Sequence, residues 1–181
     1  MGADSFRAML QRAVILDRDG TIIEDRHYLK DPHGVELIPN AVEGLKRMRE
    51  KGFLLFVLSN QSGVGRGLIT SDQFWAVHKR VCEVLQAEKV EIDEFAFCFH
   101  RPEDECGCRK PKTDLVRKEW KGQAIDWKNS YVVGDSPCDI ELADALGGKG
   151  LLVLSGKGGK TRISHPAYPA FADLLAVAVS L

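Results

Sequence analysis

The stretch AVILDRDGT, residues 13–21, begins with four apolar residues. Two aspartates follow, Asp17 and Asp19, with one residue between them. A short apolar run that ends in polar turn residues is typical of a strand buried on both faces of a sheet. Two carboxylates at the end of such a strand repel each other and need a cation. In this arrangement one carboxylate can attack a substrate while its neighbour transfers protons. The stretch therefore predicts a buried strand followed by a charged functional loop.

Further short apolar segments follow, and longer amphipathic segments separate them. The predicted strands are residues 13–16, 53–58, 95–99, 131–133 and 151–154. The predicted helices are residues 40–51, 71–88, 113–120, 138–146 and 169–179, with Asn40 and Ser71 as helix-capping residues. Alternating strands and helices are the signature of βαβ units and a parallel sheet. The sequence therefore predicts an α/β fold.

The composition narrows the class of protein. Hydrophobic residues make up 44% and charged residues 28% of the 181 residues, which argues against disorder and against membrane spans. The length fits one domain, residues 1–181. With 25 Lys+Arg against 26 Asp+Glu, no global charge attracts nucleic acid or an anionic membrane. The N-terminal segment lacks an apolar run of signal-peptide length, so we expect a cytoplasmic protein. The oligomeric state stays open, and a monomer is compatible with the sequence.

Polar motifs follow each of the first four predicted strands. They are DRDGT (17–21), SNQSG (59–63), CRKPK (108–112) and GDSPCD (134–139). In an open parallel sheet, ligands bind beyond the carboxyl ends of the strands. The four motifs are therefore expected to converge on one site.

Asp17, Asp19 and Asp135 predict that this site holds magnesium, which takes oxygen ligands and also binds substrate phosphate. A calcium loop of the EF-hand type is excluded by its spacing. Counted from Asp17, Gly20 falls at loop position 4, whereas the EF-hand pattern needs glycine at position 6. Lys110 adds a compact positive charge that suits an anion.

A second metal site is predicted by a separate pattern. Cys98, His100, Cys106 and Cys108 form the spacing C-x-H-x5-C-x-C. Four nitrogen and sulfur ligands suit tetrahedral zinc, and a full set of four leaves no open position for catalysis. The pattern therefore predicts a structural zinc site. Cys82 lies among apolar residues and is predicted to be a core residue.

In this order and spacing, the four motifs resemble those of the haloacid dehalogenase superfamily of phosphotransferases. The resemblance covers residues 14–154. SNQSGVGRG, the cysteine-histidine segment and CRKPK are similar to its small zinc-containing branch, which holds D-glycero-D-manno-heptose 1,7-bisphosphate phosphatases and histidinol-phosphate phosphatases. The resemblance implies a doubly wound parallel sheet with a Rossmann-like core. Too few residues lie between Thr21 and Pro39 for a lid domain, so we expect a capless site that loops shape.

The resemblance also implies a mechanism. Asp17 is the implied nucleophile, which forms an aspartyl-phosphate, and this covalent step splits one difficult displacement into two easier ones. Asp19 is the implied general acid toward the leaving sugar oxygen and then the general base toward water. Asp17, the Asp19 carbonyl oxygen and Asp135 are the implied magnesium ligands. The reaction is hydrolysis of a phosphate monoester.

The remaining matched residues are implied to bind a small phosphorylated metabolite. Those that spread the charge of the phosphoryl group are Ser59, Asn60 and Lys110. Asp139 is implied to orient Lys110 or a metal-bound water. Further contacts to the substrate are implied for the segments 25–28 and 59–62 and for the residue before Lys110, which adds Asp25, Tyr28, Gln61, Ser62 and Arg109.

The two subfamilies of this branch act on different substrates, and the sequence resembles both. The segments 24–32, 35–48, 60–70 and 155–158 are similar to the heptose bisphosphate phosphatases. The short spacing of five residues between His100 and Cys106 is similar to the histidinol-phosphate phosphatases. Ser136 stands where the heptose enzymes often have lysine. Removal of the 7-phosphate of the heptose bisphosphate is the leading prediction, and histidinol phosphate hydrolysis is the alternative.

Three other classes of protein compete with this prediction. SGKGGKT (155–161) ends like a Walker A loop, but Leu154 stands where glycine is needed, and two prolines in RISHPAYP (162–169) prevent the helix that must follow. A non-catalytic zinc module has no reason to keep the like charges of Asp17, Asp19 and Asp135 together. A phosphomutase must shield its aspartyl-phosphate from water, and no cap is visible for that purpose. Hydrolysis is therefore preferred.

Overall fold

The computed structural model describes residues 10–181. The prediction of no export signal rests on the N-terminal segment, and residues 1–9 of that segment lie outside the described residues. The strands are β1 (Ala13–Leu16), β2 (Leu54–Asn60), β3 (Glu94–Cys98), β4 (Glu119–Trp120), β5 (Gln123–Ala124), β6 (Tyr131–Gly134), β7 (Lys149–Val153) and β8 (Ala170–Phe171). The helices are α1 (Ala41–Glu50), α2 (Ser62–Gly65), α3 (Ser71–Ala87), α4 (Pro137–Leu146), α5 (Gly158–Ser164) and α6 (Leu174–Ser180).

Within residues 10–181, six strands form one parallel sheet in the order β3-β2-β1-β6-β7-β8. The chain starts at the centre, builds outward to one edge, and returns to build the other half. This is the doubly wound arrangement, and it confirms the predicted fold class. Leu16, the last residue of β1, lies opposite Val57 of β2 and Val133 of β6, so β2 and β6 continue past the end of β1 to Asn60 and Gly134.

Apolar layers cover both faces of the central strand. Val14 and Leu16 of β1 pack into the cluster that includes residues of α1, α3 and α6. Ala13 and Ile15 point to the opposite face, where they meet residues of α4 and Ile125. All four side chains of β1 are buried, which explains why the strand reads as a continuous apolar run.

The predicted helix at residues 113–120 is wrong. The segment forms turns and then β4, which pairs with β5 as an antiparallel ribbon. Tertiary contacts override its helical pattern. The Asp114 N–H donates to the Gly107 carbonyl oxygen at 3.2 Å, and the Arg117 guanidinium pairs with Glu94 of the edge strand β3. Leu115 and Val116, which are adjacent in sequence, both pack against the sheet, and a regular helix does not present neighbours in this way.

Three predicted helix starts also need correction. The C-terminal helix begins at Leu174 instead of residue 169, because Ala170–Phe171 pairs with β7 as strand β8. Thr70 caps α3 in place of Ser71: its Oγ1 accepts the Gln73 N–H, and Gln73 Oε1 accepts the Thr70 N–H. Asn40 precedes α1 in the left-handed conformation and makes no side-chain cap; its amide donates to Asp173 at 2.7 Å.

The connection between β1 and α1 contains no separate lid domain among the described residues. Ile23 and Leu37 form an isolated bridge that closes a loop at its base, with one short 3-10 turn at Pro32–Gly34. This arrangement agrees with the expected capless site. Across residues 10–181, every helix is too short or too polar to cross a bilayer.

Gly44 allows α1 and α6 to approach closely. A Cβ at this position would lie 2.6 Å from the carbonyl carbon of Leu174. We expect Gly44→Ala to lower the free energy of unfolding by about 1–3 kcal/mol, because the backbone of α6 must move. In an exposed helix the same substitution raises stability by about 1 kcal/mol.

Urea unfolding of Gly44→Ala beside Arg47→Ala, an exposed position in the same helix, tests this expectation. The Arg47 variant should change stability by no more than about 0.5 kcal/mol. A Gly44→Ala variant as stable as the parent would contradict the close contact.

Candidate active site

The predicted site residues meet at the carboxyl ends of the strands. One cleft is lined by the twelve residues predicted for catalysis, magnesium and substrate: Asp17, Asp19, Asp25, Tyr28, Ser59, Asn60, Gln61, Ser62, Arg109, Lys110, Asp135 and Asp139. The cleft opens where Asp17 leaves β1 and Asp135 leaves β6, the point at which the strand order reverses. The structure therefore confirms that the four motifs converge on one cleft.

A buried ion-pair network forms the floor of the cleft. The Lys110 ammonium donates to Asp17 Oδ1 at 2.8 Å and to Asp139 Oδ1 at 2.7 Å. The Lys110 side chain is 2% exposed and that of Asp139 is 1% exposed. Burial alone would lower the pKa of Lys110, but the charges of Asp139 and Asp17 outweigh burial and raise it. Lys110 therefore carries its charge throughout the neutral range.

Asn60 fixes the main chain of this lysine. Its side-chain oxygen accepts the Lys110 N–H at 3.0 Å, and its Nδ2 donates to the Lys110 carbonyl oxygen at 3.2 Å. The amide of Asn60 thus holds the CRKPK segment to the end of β2. Asn60 therefore fixes the position of Lys110 at the floor of the cleft.

A group of carboxylates next to the lysine fits a hard cation. Asp17, Asp135 and Asp139 each offer an oxygen, and these atoms lie within 4.8 Å of one another. Burial raises the pKa of Asp135, and the charge of Asp17 raises it further. All three acids also accept hydrogen bonds: Asp17 and Asp139 from Lys110, Asp139 also from the Ser136 N–H, and Asp135 from Ser136 Oγ and the Lys157 N–H. Oxygen ligands of this kind suit magnesium.

Two glycines enclose the Asp135 carboxylate. A Cβ at Gly20 or Gly156 would lie 2.2 or 2.3 Å from Asp135 Oδ2. Both glycines have positive φ, 86° and 53° respectively, which disfavours other residues there. The loops after β1 and β7 therefore close around one acid.

Asp19 lies outside this group of three acids. Its Oδ2 accepts from Gln61 Nε2 at 2.7 Å and from Arg18 Nε at 2.9 Å. Burial raises the pKa of Asp19, and the Arg18 charge opposes this rise. Gln61 also donates to Ser59 Oγ at 2.8 Å, so it links the first and second motifs.

Two further cations line the cleft. Arg109 Nη1 is buried and has no hydrogen-bond partner among the described residues. Lys157 Nζ lies 3.0 Å from Asp25 Oδ2, and the Lys157 N–H donates to Asp135 Oδ2 at 2.7 Å. The hydrogen bonds from Lys157 and the His27 N–H lower the pKa of Asp25 despite its partial burial, which acts in the opposite direction.

Sequence reasoning gave no role to several cleft residues, namely Arg18, Ser136, Cys138 and Lys157. Lys157 could have been found, because SGKG follows the fifth predicted strand and the rule that placed four motifs at strand ends applies equally to it. The segment does not form a nucleotide-binding loop. It precedes α5, which has seven residues, and its lysine pairs with Asp25.

The predicted zinc ligands also come together. Cys98 Sγ lies 3.6 Å from Cys106 Sγ and 3.2 Å from Cys108 Sγ, and His100 Nδ1 lies 3.1 Å from Cys108 Sγ. Tetrahedral zinc with bonds of about 2.3 Å places sulfur ligands about 3.8 Å apart. The four side chains therefore fit zinc. Cys82 lies outside this group and contacts His78 within α3.

Curated relatives cover nearly the whole chain. The D-glycero-beta-D-manno-heptose-1,7-bisphosphate 7-phosphatase of Pseudomonas aeruginosa is 34% identical over 177 residues, which is 96% of this chain and 99% of the relative. The histidine biosynthesis bifunctional protein HisB of Blochmanniella floridana is 32% identical over 146 residues, which is 79% of this chain and 41% of that protein.

Family and structure comparisons agree with the relatives. The family model for HAD-hydrolase-like proteins matches residues 107–177. A crystal structure of D,D-heptose 1,7-bisphosphate phosphatase from B. bronchiseptica, complexed with magnesium and phosphate, superposes with a TM-score of 0.80 at 28% identity, covering 94% of this chain and 97% of that one. The chain therefore belongs to the haloacid dehalogenase-like hydrolases. Within them it is a phosphatase of the branch that contains the heptose bisphosphate phosphatases.

The cysteine-histidine group predicts bound zinc. We expect elemental analysis of the purified protein to find about one zinc per chain, since four N and S ligands make a closed structural site. Cys106→Ser should lose most of this zinc and unfold at a lower temperature. Cys82→Ser is the matched control and should keep its zinc, because Cys82 lies in α3 outside the group.

Well-folded parent protein without zinc would contradict the site. Equal zinc contents in the two serine variants would contradict the assignment of its ligands.

Proposed function

We propose that the protein is a magnesium-dependent phosphomonoesterase that removes the 7-phosphate of D-glycero-D-manno-heptose 1,7-bisphosphate through an aspartyl-phosphate at Asp17. The buried ammonium of Lys110 between Asp17 and Asp139, next to the carboxylate of Asp135, carries the proposal. This arrangement joins a carboxylate nucleophile to fixed positive charge. The relatives named as heptose bisphosphate 7-phosphatases support the choice of substrate.

In the first step, a carboxylate oxygen of Asp17 attacks the phosphorus atom. The new bond joins Asp17 to phosphorus, and the bond from phosphorus to the sugar oxygen breaks. Protonated Asp19 gives its proton to the leaving oxygen, so that a neutral sugar hydroxyl departs. Lys110 and Ser59 line this part of the cleft and supply fixed donors for the phosphoryl oxygens.

In the second step, Asp19 is a carboxylate and takes a proton from water. The water oxygen attacks phosphorus, the bond from phosphorus to Asp17 breaks, and inorganic phosphate is released. Asp17 regains its charge beside Lys110, and Asp19 is protonated again. When bound by Asp17, the Asp19 carbonyl oxygen and Asp135, magnesium supplies positive charge against the phosphoryl oxygens.

A second phosphate group of the substrate would contact further cationic side chains in this cleft. Arg109 has a buried Nη1 without a partner in the described part of the chain, and Lys157 lies on the side of the cleft where it holds Asp25. Asp25 and Tyr28 add a carboxylate and a phenol that suit sugar hydroxyls. The cleft is thus able to hold a polar sugar with a phosphate at each end. We place the enzyme in the cytoplasm, where a reduced zinc-binding loop persists.

Histidinol phosphate is the second candidate substrate. The loop between His100 and Cys106 has five residues, and HisB proteins are among the relatives. This ester has one phosphate and a cationic amine. The amine would find Asp25 in the cleft, although Lys157 already neutralises that carboxylate.

The two candidates can be separated by measuring magnesium-dependent phosphate release from both esters under the same conditions. We expect kcat/KM for the heptose bisphosphate to exceed that for histidinol phosphate by at least about tenfold, since one additional charged contact contributes roughly 1.4 kcal/mol or more. The product should keep one phosphate. A preference for histidinol phosphate would overturn the choice of substrate but leave the phosphatase in place.

Asp17→Asn tests the nucleophile. We expect turnover to fall by at least about a thousandfold, because an amide cannot form the phosphorylated intermediate. Asp144→Asn, an exposed acid of α4, should keep the parent rate. Phosphate release by Asp17→Asn at a rate near that of the control would contradict the mechanism.

A further inference from the structure

The arginine between the two catalytic aspartates has no part in the mechanism above. Arg18 is 2% exposed, whereas arginine is usually a surface residue. A buried guanidinium is costly unless it is paired. The residues around Arg18 must therefore compensate the charge of its guanidinium.

The main partner of Arg18 is Asp19. Nε donates to Asp19 Oδ2 at 2.9 Å, and Nη2, which also lies 2.9 Å from Oδ2, donates to Oδ1 at 3.1 Å. Such a paired contact fixes the plane of a carboxylate, which a single hydrogen bond does not. Gln61 Nε2 adds a third hydrogen bond, at 2.7 Å, and it goes to Oδ2.

These three hydrogen bonds make the two oxygens of Asp19 unequal. Each carboxylate oxygen has two lone pairs. Oδ2 accepts two hydrogen bonds and is saturated, whereas Oδ1 accepts one and keeps a lone pair. Asp19 lines the cleft and its side chain is 22% exposed. A proton can therefore be carried on Oδ1 without breaking any of the contacts.

Aromatic rings from outside the site hold the arginine itself. Its guanidinium carbon lies 5.4 Å from the ring centre of Phe74 in α3 and 5.9 Å from that of Phe97 in β3. The two rings meet edge to face at 4.8 Å. Cation–π contact of this kind stabilises a desolvated guanidinium. The Arg18 carbonyl oxygen also accepts from the N–H groups of Ile22 and Ile23, so the main chain is fixed as well.

We propose that Arg18 is a positioning residue that saturates Asp19 Oδ2, together with Gln61, and leaves Oδ1 as the oxygen that gives and takes the proton. This inference rests on the proposed function, because it assigns an atom to the proton transfers of that mechanism. Without Arg18 the carboxyl group turns about its bond to Cβ, and the proton is no longer aimed at the leaving oxygen.

Substrates that differ in their leaving groups test this proposal. An alkyl phosphate needs a proton on its departing oxygen, whereas p-nitrophenyl phosphate releases a stable phenolate without one. In Arg18→Met we expect kcat/KM to fall about a hundredfold for the alkyl ester, which is the lower end of general-acid contributions, and by no more than about threefold for the nitrophenyl ester. A series of aryl phosphates should show a steeper dependence on leaving-group pKa than in the parent.

Two further variants make the test specific. Arg18→Lys keeps the charge but cannot donate two hydrogen bonds in one plane, so it should show the same selective loss in weaker form. Arg117→Met removes a similar pair, to Glu94, that is exposed and lies outside the cleft. This control should keep the parent rates on both esters.

The results of these experiments distinguish a failure of the positioning role of Arg18 from a failure of the proposed function. Equal losses on both esters in folded Arg18→Met, or an unchanged leaving-group dependence in Arg18→Lys, would overturn the positioning role while the phosphatase stands. If Arg18→Met does not fold, Arg18→Lys decides. A parent enzyme that hydrolyses none of the esters in magnesium would overturn the proposed function, and the inference with it.

Discussion

The Lys110 ammonium lies between the carboxylates of Asp17 and Asp139, 2.8 and 2.7 Å away, with almost no access to solvent. A buried charge of this kind is stable only while its partners remain, and removal of one partner costs about 3–5 kcal/mol. Residues from different elements of the fold hold this ion pair in place. Asn60 at the end of β2 holds the lysine main chain, and Asp139 comes from the first turn of α4. The ion pair therefore links the two halves of the doubly wound sheet at their junction.

The same contact explains why a cysteine-histidine group lies next to the cleft. Cys108 is two residues before Lys110, so the chain enters the cleft directly from the cluster of soft ligands. A loop without regular secondary structure is otherwise mobile, and catalysis needs donors held in place. The loops after β1, β3 and β7 contribute lining residues to the cleft. The loops after β1 and β7 are joined by contacts between residues that are remote in sequence: Lys157 pairs with Asp25, and Gly20 and Gly156 lie against the Asp135 carboxylate.

Sequence reasoning succeeded where one local rule decides the structure. A short apolar run such as AVIL, bounded by turn residues, favours a buried strand. Polar motifs at the carboxyl ends of parallel strands lie at one edge of the sheet, so the cleft residues were predictable. The conformation of the segment 113–120 was not predictable, because it depends on partners outside the segment, such as Gly107 and Glu94. Capping was misassigned for a similar reason: Asn40 uses its amide for Asp173, which is remote in sequence. Arg18 was overlooked since its burial depends on Phe74 and Phe97, which nothing in DRDGT reveals.

The central claim is that Asp17 becomes phosphorylated during turnover. The most direct measurement is to quench the enzyme rapidly in the steady state with its phosphate ester, reduce the acyl phosphate with borohydride, and locate the product by peptide mass spectrometry. If Asp17 is the nucleophile, Asp17 is converted to homoserine in the sample with substrate and stays unchanged in a sample without it. Reduction at another carboxylate, or steady phosphate release with no reducible acyl group at Asp17, would contradict it.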